Sequence, residues 1–245
     1  MGMCRKLSAL AIICMLSLCG CEDMILDRYG DIETVEETLP VITKFEVLNG
    51  FNIYLKPDTL YKIIVEAPSA MLGDIVFDVN EGVLTLSDKN GFKWNPAYVT
   101  PSVTICFPVL EHISIAAPAN IKTLGTIQQE SLYILTTLHT GVVELDVDVD
   151  RLNIITGNSI DSGIFIISGR AANASFWMRN SASLNALSLD AGFVRMINNT
   201  KGDSYVQVNQ TLRVVLNSYG NVYYTGNPTT IDIQERSSTG NLYPL

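Results

Sequence analysis

Ala174-Ser-Phe-Trp-Met-Arg-Asn-Ser-Ala-Ser183 is a short strand pattern that runs into a turn, and a similar pattern returns about 20 residues later as Phe193-Val-Arg-Met-Ile-Asn-Asn-Thr-Lys-Gly202. In both segments, alternating apolar and polar residues give way to small residues and asparagine. Other apolar stretches begin at a similar interval, near Leu110, Leu132, Leu152 and Leu212. A constant period of this length is typical of proteins built from stacked repeat units.

The repeat predicts a parallel β-helix. Each unit holds two short strands joined by a turn and is too small to enclose a core. Units stacked as rungs ~4.8 Å apart bury a continuous interior, and bulky turn residues would collide where the rungs superpose. We expect an all-β fold, a right-handed parallel β-helix (solenoid) with rungs of about 20 residues, the hand following the usual crossover preference. A β-sandwich also has many short strands, but its strands and turns do not repeat at a constant interval of about 20 residues.

Upstream of the repeat, the sequence predicts a smaller β-rich part. From Phe45 onward apolar residues take alternate positions, which is the pattern of half-buried strands. Residues 88–101 predict a long loop, and residues 68–72 predict one helical turn. The expected organisation is a leader (1–20), an acidic tether (21–40), the β-rich part (41–108) and the β-helix (109–245).

The amino terminus predicts a bacterial lipoprotein. Arg5 and Lys6 precede an apolar run of about a dozen residues, and small residues then lead to Cys21. This order is that of a signal peptide with a lipobox, so we expect cleavage before Cys21 and its acylation. The apolar run is shorter than the ~20 residues that cross a bilayer. Acidic residues directly after the lipidated cysteine direct lipoproteins to the cell surface in some Gram-negative anaerobes, so Glu22-Asp23 favours surface display on the outer membrane over a periplasmic orientation.

Charge and cysteine content limit the partners. Residues 1–20 contain Arg5, Lys6 and no acidic residue, so the rest of the chain carries 14 Lys and Arg (16 minus these two) against 25 Asp and Glu, a net charge of −11. An acidic surface disfavours nucleic acid as a partner.

Only Cys106 remains after processing and lipidation, and its strand-like setting predicts a buried apolar side chain. No motif indicates a cofactor.

Several motifs together resemble a known family. They are the opening strands at 45–55, Val83-Leu-Thr-Leu86, Phe107-Pro-Val-Leu110, the small-residue turns, Tyr224-Thr-Gly-Asn-Pro228 and Ser237-Ser-Thr-Gly-Asn-Leu242. From about Phe45 to Leu245 the chain resembles the "putative auto-transporter adhesin" family with the head GIN domain. The turns of that family are typically Ser-Gly-Ala-Ser, for which related small residues or Asn stand here. The resemblance implies a β-helical fold and adhesion, and it brings no catalytic residues.

An enzymatic alternative rests on two aspartates. Asp161 and Asp203 each begin an Asp-Ser pair before a strand and, if the rungs stack at the repeat period, lie about 9–10 Å apart. Inverting glycosidases hold their two carboxylates ~6.5–9.5 Å apart. Arg179, on the rung between, would bind a uronate carboxylate in such a pectinase-like hydrolase or lyase. Asp and Ser are also common turn residues that bond to nearby backbone.

Four acidic residues alternate along one strand. The carboxylates of Glu144, Asp146, Asp148 and Asp150 project from one face and have the oxygen ligands that Ca²⁺ prefers. Alternate residues lie ~6.5–7 Å apart, which is wide for one ion, so we expect a solvated face and no metal site. The two histidines, His112 and His139, lack metal-ligand spacing, and we expect them to be structural or solvated.

Four aromatic residues are candidates for sugar binding, and one turn is a candidate for O-glycosylation. Tyr205 and Tyr223 align on neighbouring rungs with Tyr224 close by, and Trp94 lies in the long loop. Outward rings bind the apolar faces of sugars, although they also pack on one another along a solenoid. Thr59 lies in Asp58-Thr59-Leu60, which matches the sequence used for O-glycosylation in some Gram-negative envelopes.

The combined prediction is a non-enzymatic, lipid-anchored binding module. It would act like an adhesin towards a glycan or an envelope protein, with a rigid solenoid face presented on a flexible tether. The alternatives are the enzyme that uses Asp161 and Asp203 and a structural spacer of the envelope. The oligomeric state stays open, because exposed ends of a solenoid pair when their caps are imperfect.

Overall fold

The computed structural model describes residues 30–89, 98–138, 140–157 and 160–245. These residues form eighteen strands and one short helix. The strands are β1 (Ile32–Thr38), β2 (Lys44–Val47), β3 (Asn52–Pro57), β4 (Lys62–Pro68), β5 (Ile75–Asn80), β6 (Val83–Asp88), β7 (Ser102–Phe107), β8 (His112–Ile115), β9 (Asn120–Thr123), β10 (Ile127–Thr136), β11 (Val142–Ile155), β12 (Ile164–Asn180), β13 (Ser183–Thr200), β14 (Ser204–Gln207), β15 (Thr211–Leu216), β16 (Val222–Thr225), β17 (Thr230–Arg236) and β18 (Leu242–Pro244). Helix α1 (Ser69–Leu72) lies within the predicted helical turn.

The strands stack into a parallel solenoid of about six turns. Column I consists of β6, β2 and β8, then the second halves of β10 to β13, then β15 and β17. Column II consists of β7, β3 and β9, then the first halves of β11 to β13, then β14, β16 and β18. The paired strands within each column are parallel, so the predicted parallel β-helix is confirmed.

The amino-terminal strands join this sheet out of chain order. β2 lies between β6 and β8, and β3 lies between β7 and β9. At that end β4 is antiparallel to both β1 and β7, and β5 is antiparallel to β6. Residues 32–38, which the sequence assigns to the tether, form β1, an exposed edge strand. All the strands belong to one sheet, and the buried residues form one core.

The core is built by alternation along each strand. In column I the register aligns Ile154, Phe176, Met196 and Val214 on successive rungs, and all four are buried. Their chain neighbours point outwards, because successive side chains of a strand project to opposite faces. Burial of each large apolar side chain contributes about 1.5–3 kcal/mol. The buried row ends at the last rung, where Ile233 is 44% exposed.

Close approach between rungs requires small residues at one corner. Gly202, Gly220 and Gly240 follow one another there. A Cβ atom added at Gly220 would lie 2.1 Å from the carbonyl oxygen of Gly202, and one added at Gly240 would lie 2.4 Å from that of Gly220. Real Cβ atoms do not approach backbone this closely, so superposition of the rungs explains the small turn residues.

Candidate functional site

Asp161 lies inside the solenoid. The residue is 1% exposed. Its carboxylate accepts hydrogen bonds from the hydroxyl group of Thr136 and from the N–H groups of Gly157 and Gly163, the last two at 3.3 Å. A buried carboxylate that accepts three bonds is satisfied by the protein itself. Asp161 therefore ties its own turn to the neighbouring rung of Thr136 and does not face a substrate.

Asp203 lies two rungs further on and points the other way. Its Oδ1 atom accepts a bond of 2.8 Å from the N–H group of Asn221, towards the carboxyl-terminal end. Asp161 instead bonds to the rung of Thr136, towards the amino-terminal end. The register aligns Asp203 with Ile164, three residues beyond Asp161. The structure does not bring these two carboxylates together as a pair.

Arg179 lies at the end of β12, where it contacts backbone and an aromatic ring. Its Nη1 atom donates a bond of 2.7 Å to the carbonyl oxygen of Thr156. The guanidinium stands 3.7 Å from the centroid of the Trp177 ring, a cation–π geometry. Burial lowers the pKa of the Arg179 guanidinium from its ordinary value.

The four alternating carboxylates of β11 point outwards. Glu144 lies 3.0 Å from Nζ of Lys122, and Asp146 accepts a bond of 2.7 Å from a neighbouring threonine hydroxyl. Asp148 and Asp150 are exposed. Within the part of the chain that the structure describes, no group of three acidic, histidine or cysteine side chains is placed to hold a metal ion.

Three tyrosines form an outward row on column II, which we call the tyrosine ladder. The register pairs Tyr205 with Tyr223 and Tyr223 with Tyr243. The successive ring centroids lie 4.9 and 5.5 Å apart, with interplanar angles of 12° and 28°. Stacking covers the ring faces between neighbours, so the ladder presents ring edges and hydroxyl groups, and its last ring, Tyr243, is 43% exposed. Tyr224 packs on the core and is not part of the ladder.

Column I carries an outward surface that sequence reasoning missed. From β11 to β15 its outward positions hold no Asp or Glu. They are Arg151, Asn153, Ile155, Asn173, Ser175, Trp177, Arg179, Phe193, Arg195, Ile197, Asn199, Thr211, Arg213 and Val215. We call this surface the arginine face. Of its four arginines, Arg151 is ion-paired with Glu130, and Nε of Arg213 lies 3.7 Å from Oδ2 of Asp232. In a chain with 25 acidic and 16 basic residues, the arginine face is a local concentration of positive groups.

A groove opens at the edge of the arginine face, where the chain turns into column I. Its volume is about 410 Å³. Its lining is mostly polar, and it includes Arg170, Asn173, Asp190, Phe193, Asn209 and Gln210. The half-buried Phe193 belongs to both surfaces, and the guanidinium of Arg213 stands 5.4 Å from the centroid of its ring. We call this feature the Phe193 groove.

Thr59 occupies an exposed turn between β3 and β4. Its N–H group donates a bond of 2.7 Å to Oδ1 of Asp58, and its hydroxyl lies 3.4 Å from the same atom. The bond from the Thr59 N–H group lowers the pKa of the Asp58 carboxyl from its ordinary value. Thr59 and Leu60 are exposed, Leu60 by 59%, whereas Asp58 is half-buried.

The remaining candidates are buried, packed or outside the described residues. Cys106 is 1% exposed, as predicted, and burial raises the pKa of its thiol. His112 packs on Tyr133 with ring centroids 5.3 Å apart. The segments that hold Cys21, Trp94 and His139 are not described, and no helix in the described ranges is both long and apolar enough to span a bilayer.

The fold and its surfaces define an all-β solenoid that displays aligned side chains on two columns. The chain belongs to the family described as "Putative auto-transporter adhesin, head GIN domain", whose model matches residues 42–228. The resemblance is confirmed. Membership indicates an adhesin-like role at the cell surface or in the envelope.

Solved structures of three bacterial proteins share the fold. A putative adhesin from Bacteroides fragilis has a TM-score of 0.77 at 19% identity, over 88% of this chain and 97% of that one. A putative lipid binding protein from Parabacteroides distasonis has a TM-score of 0.63 at 15% identity, with the same coverage of 88% and 97%. A putative adhesin from Parabacteroides merdae has a TM-score of 0.60 at 15% identity, again over 88% and 97%. No curated protein sequence matches the chain.

Proposed function

We propose that this protein is an adhesin-like module of the cell envelope that binds an extended partner, a glycan or an envelope protein, without transforming it. The alignment of outward side chains over successive rungs, seen in the tyrosine ladder, carries the proposal. A rigid surface that repeats every ~4.8 Å offers equivalent contacts to successive units of a polymer. The family description supports the same role.

A glycan is the partner that the tyrosine ladder favours. Stacking covers the ring faces between neighbours, so the ladder offers a sugar chain a row of hydroxyl groups and ring edges. The ring edges and hydroxyls of Tyr205 and Tyr223 lie along the solenoid axis, in line with a chain of sugar units. These side chains also suit a protein interface, because tyrosine is enriched there.

The proposal includes attachment to the outer membrane and display on the cell surface. The order of residues before Cys21 supports acylation of that cysteine, and stable anchoring takes more than one acyl chain or a second signal. Glu22 and Asp23 favour outward display. Exposure of Thr59 is compatible with its O-glycosylation, which we include in the proposal.

No observation favours the enzymatic alternative. Asp161 is engaged by three donors of the protein, and Asp203 bonds towards the opposite end of the solenoid. A structural spacer would bind no glycan at all, so a binding experiment separates it from the proposed role.

The test is retention of the full chain, purified in detergent, on immobilised glycans and polysaccharides. Each retained polysaccharide is then analysed for new reducing ends and unsaturated products. We expect retention without product, weakened in Tyr223→Ala and unchanged in Tyr219→Ala, a tyrosine that is 67% exposed outside the ladder. Product formation would overturn the proposal in favour of an enzyme, and a complete lack of retention would favour a protein partner or a spacer.

A further inference from the structure

We propose that the Phe193 groove and the adjoining arginines bind an anionic sugar unit of a polysaccharide, one that bears a carboxylate or a sulfate. The inference rests on the proposed function and narrows its ligand to a chemical class. It also places the site on column I, away from the tyrosine ladder.

Two arginines lie side by side on the arginine face. Arg195 and Arg213 are paired in register on β13 and β15, about 4.8 Å apart at the backbone, and like charges in such positions repel. Arg213 is 3.7 Å from a carboxylate oxygen of Asp232, whereas no salt bridge engages Arg195 in the described part of the chain. A bound anion would relieve this repulsion, and guanidinium groups match the paired oxygens of a carboxylate or sulfate.

The groove supplies the remaining contacts that a sugar needs. Phe193 provides an apolar surface, with the charge of Arg213 only 5.4 Å from its ring centroid. Arg170 and Asp190 are paired in register on neighbouring rungs in the groove lining. Asp190 already accepts a hydrogen bond from the side-chain amide of Asn209, and its remaining lone pairs would accept bonds from sugar hydroxyls. A volume of about 410 Å³ falls in the range of small-ligand sites.

The charge distribution favours an acidic polysaccharide over nucleic acid. The whole chain carries a net charge of −9, which disfavours a polyanion overall, so attraction has to come from local groups such as those of the arginine face. Affinity for nucleic acid requires several phosphates to be neutralised along a continuous basic track. A polysaccharide with one charged group per unit needs only the few arginines present here.

The test measures binding of the full chain in detergent to polygalacturonate, dextran sulfate, neutral dextran and double-stranded DNA at one ionic strength. The variants are Arg195→Gln, Phe193→Leu and the matched control Lys201→Gln, which removes one positive charge from an exposed turn outside the arginine face. Arg195 is exposed, so its replacement preserves the fold, and circular dichroism checks this for every variant. We expect at least one anionic polysaccharide to bind and neutral dextran to bind more weakly. Arg195→Gln should weaken binding about tenfold or more, Phe193→Leu several-fold and Lys201→Gln less than twofold.

Each other outcome overturns the inference. Equal losses in Arg195→Gln and Lys201→Gln would show non-specific attraction, and equally tight binding of DNA would show a general anion surface. Retention of neutral glycans that depends on Tyr223 and not on Arg195 would refute this inference and leave the proposed function standing. Absence of all glycan binding would refute this inference and leave, of the proposed function, only the binding of an envelope protein.

Discussion

Asp161 joins its own turn to a neighbouring rung through one buried carboxylate, which accepts three hydrogen bonds. Removing it leaves three donors without partners, and each unsatisfied buried group costs about 1–3 kcal/mol. We expect Asp161→Ala to lower the free energy of unfolding by about 3 kcal/mol or more. Asp203→Ala, which frees one N–H group in a half-buried turn, should cost about 1 kcal/mol. Urea unfolding measures both values, and an equal or larger loss in Asp203→Ala would contradict this assignment.

Cys106 should be inert in the folded protein. It is buried, and burial raises the pKa of its thiol, so the reactive thiolate is scarce. We expect alkylation of Cys106, followed by peptide mass spectrometry, to be slow until urea unfolds the chain. Because the pKa of the thiol is higher in the folded than in the unfolded protein, Cys106 favours folding fully at any pH below its unfolded-state pKa. This contribution is lost as the pH rises through its folded-state pKa. Rapid alkylation of the native protein at neutral pH would refute the buried assignment.

For single residues in strands, the sequence predicted which side chains point inwards and which point outwards. It did not predict the hydrogen-bond partners or the burial of a residue in a turn. Alternation identified Cys106 as buried and the carboxylates of β11 as outward. Burial of Asp161 could not be predicted, because its donors come from a neighbouring rung 25 residues earlier and from its own turn. Tyr224, a further candidate, packs on the core because it follows Tyr223 directly and adjacent residues of a strand point to opposite faces.

Among the elements, the corner between rungs is sensitive to one methyl group. A Cβ atom at Gly220 would lie 2.1 Å from a backbone oxygen, whereas one at Gly73 meets nothing within 4 Å. We expect Gly220→Ala to destabilise the protein by about 1–3 kcal/mol, as overpacking does, and Gly73→Ala to change stability by less than about 0.5 kcal/mol. Thermal unfolding compares them. Equal midpoints would show that the rungs have room to separate at this corner.

The strands with one buried face were predictable, and the exposed strand was not. β3 alternates apolar and polar residues because one face meets the core. All seven residues of β1 are exposed, so the strand carries no alternation and reads as a tether. The insertion of β2 between β6 and β8 also leaves no local signal, since alternation fixes which face is buried and not which strand lies alongside.

Over the whole molecule, one shared core should give one unfolding transition. Phe51 and Phe176 lie far apart in the chain, and both are fully buried in the same core. We expect Phe51→Ala and Phe176→Ala each to cost about 3–5 kcal/mol and to shift the same transition. Circular dichroism and tyrosine fluorescence during urea unfolding should coincide. Two transitions, each moved by only one substitution, would instead show independently folding parts.

The arginine face could not be predicted from the sequence by assuming a repeat of constant length. The spacing between aligned residues varies from 22 (Val143 to Phe165) to 18 (Ser204 to Val222), and the register shifts near Ile166. A fixed period of about 20 residues therefore aligned Asp161 with Asp203, which the structure keeps apart. The pairing of Arg195 with Arg213, which are 18 residues apart, and the acid-free surface around it both depend on the register of four rungs.

Hydroxyl-radical footprinting decides whether the outward faces of consecutive rungs bind a polymer. Aromatic side chains react readily with the radical and lose reactivity where a ligand covers them. The full chain is oxidised with and without the polysaccharide that it retains most strongly. We expect protection of Phe193 and Trp177 by an anionic polysaccharide, or of Tyr205 and Tyr223 by a neutral one, with no cleavage of either. Unchanged reactivity on both columns while the polysaccharide is bound would contradict binding by the solenoid faces.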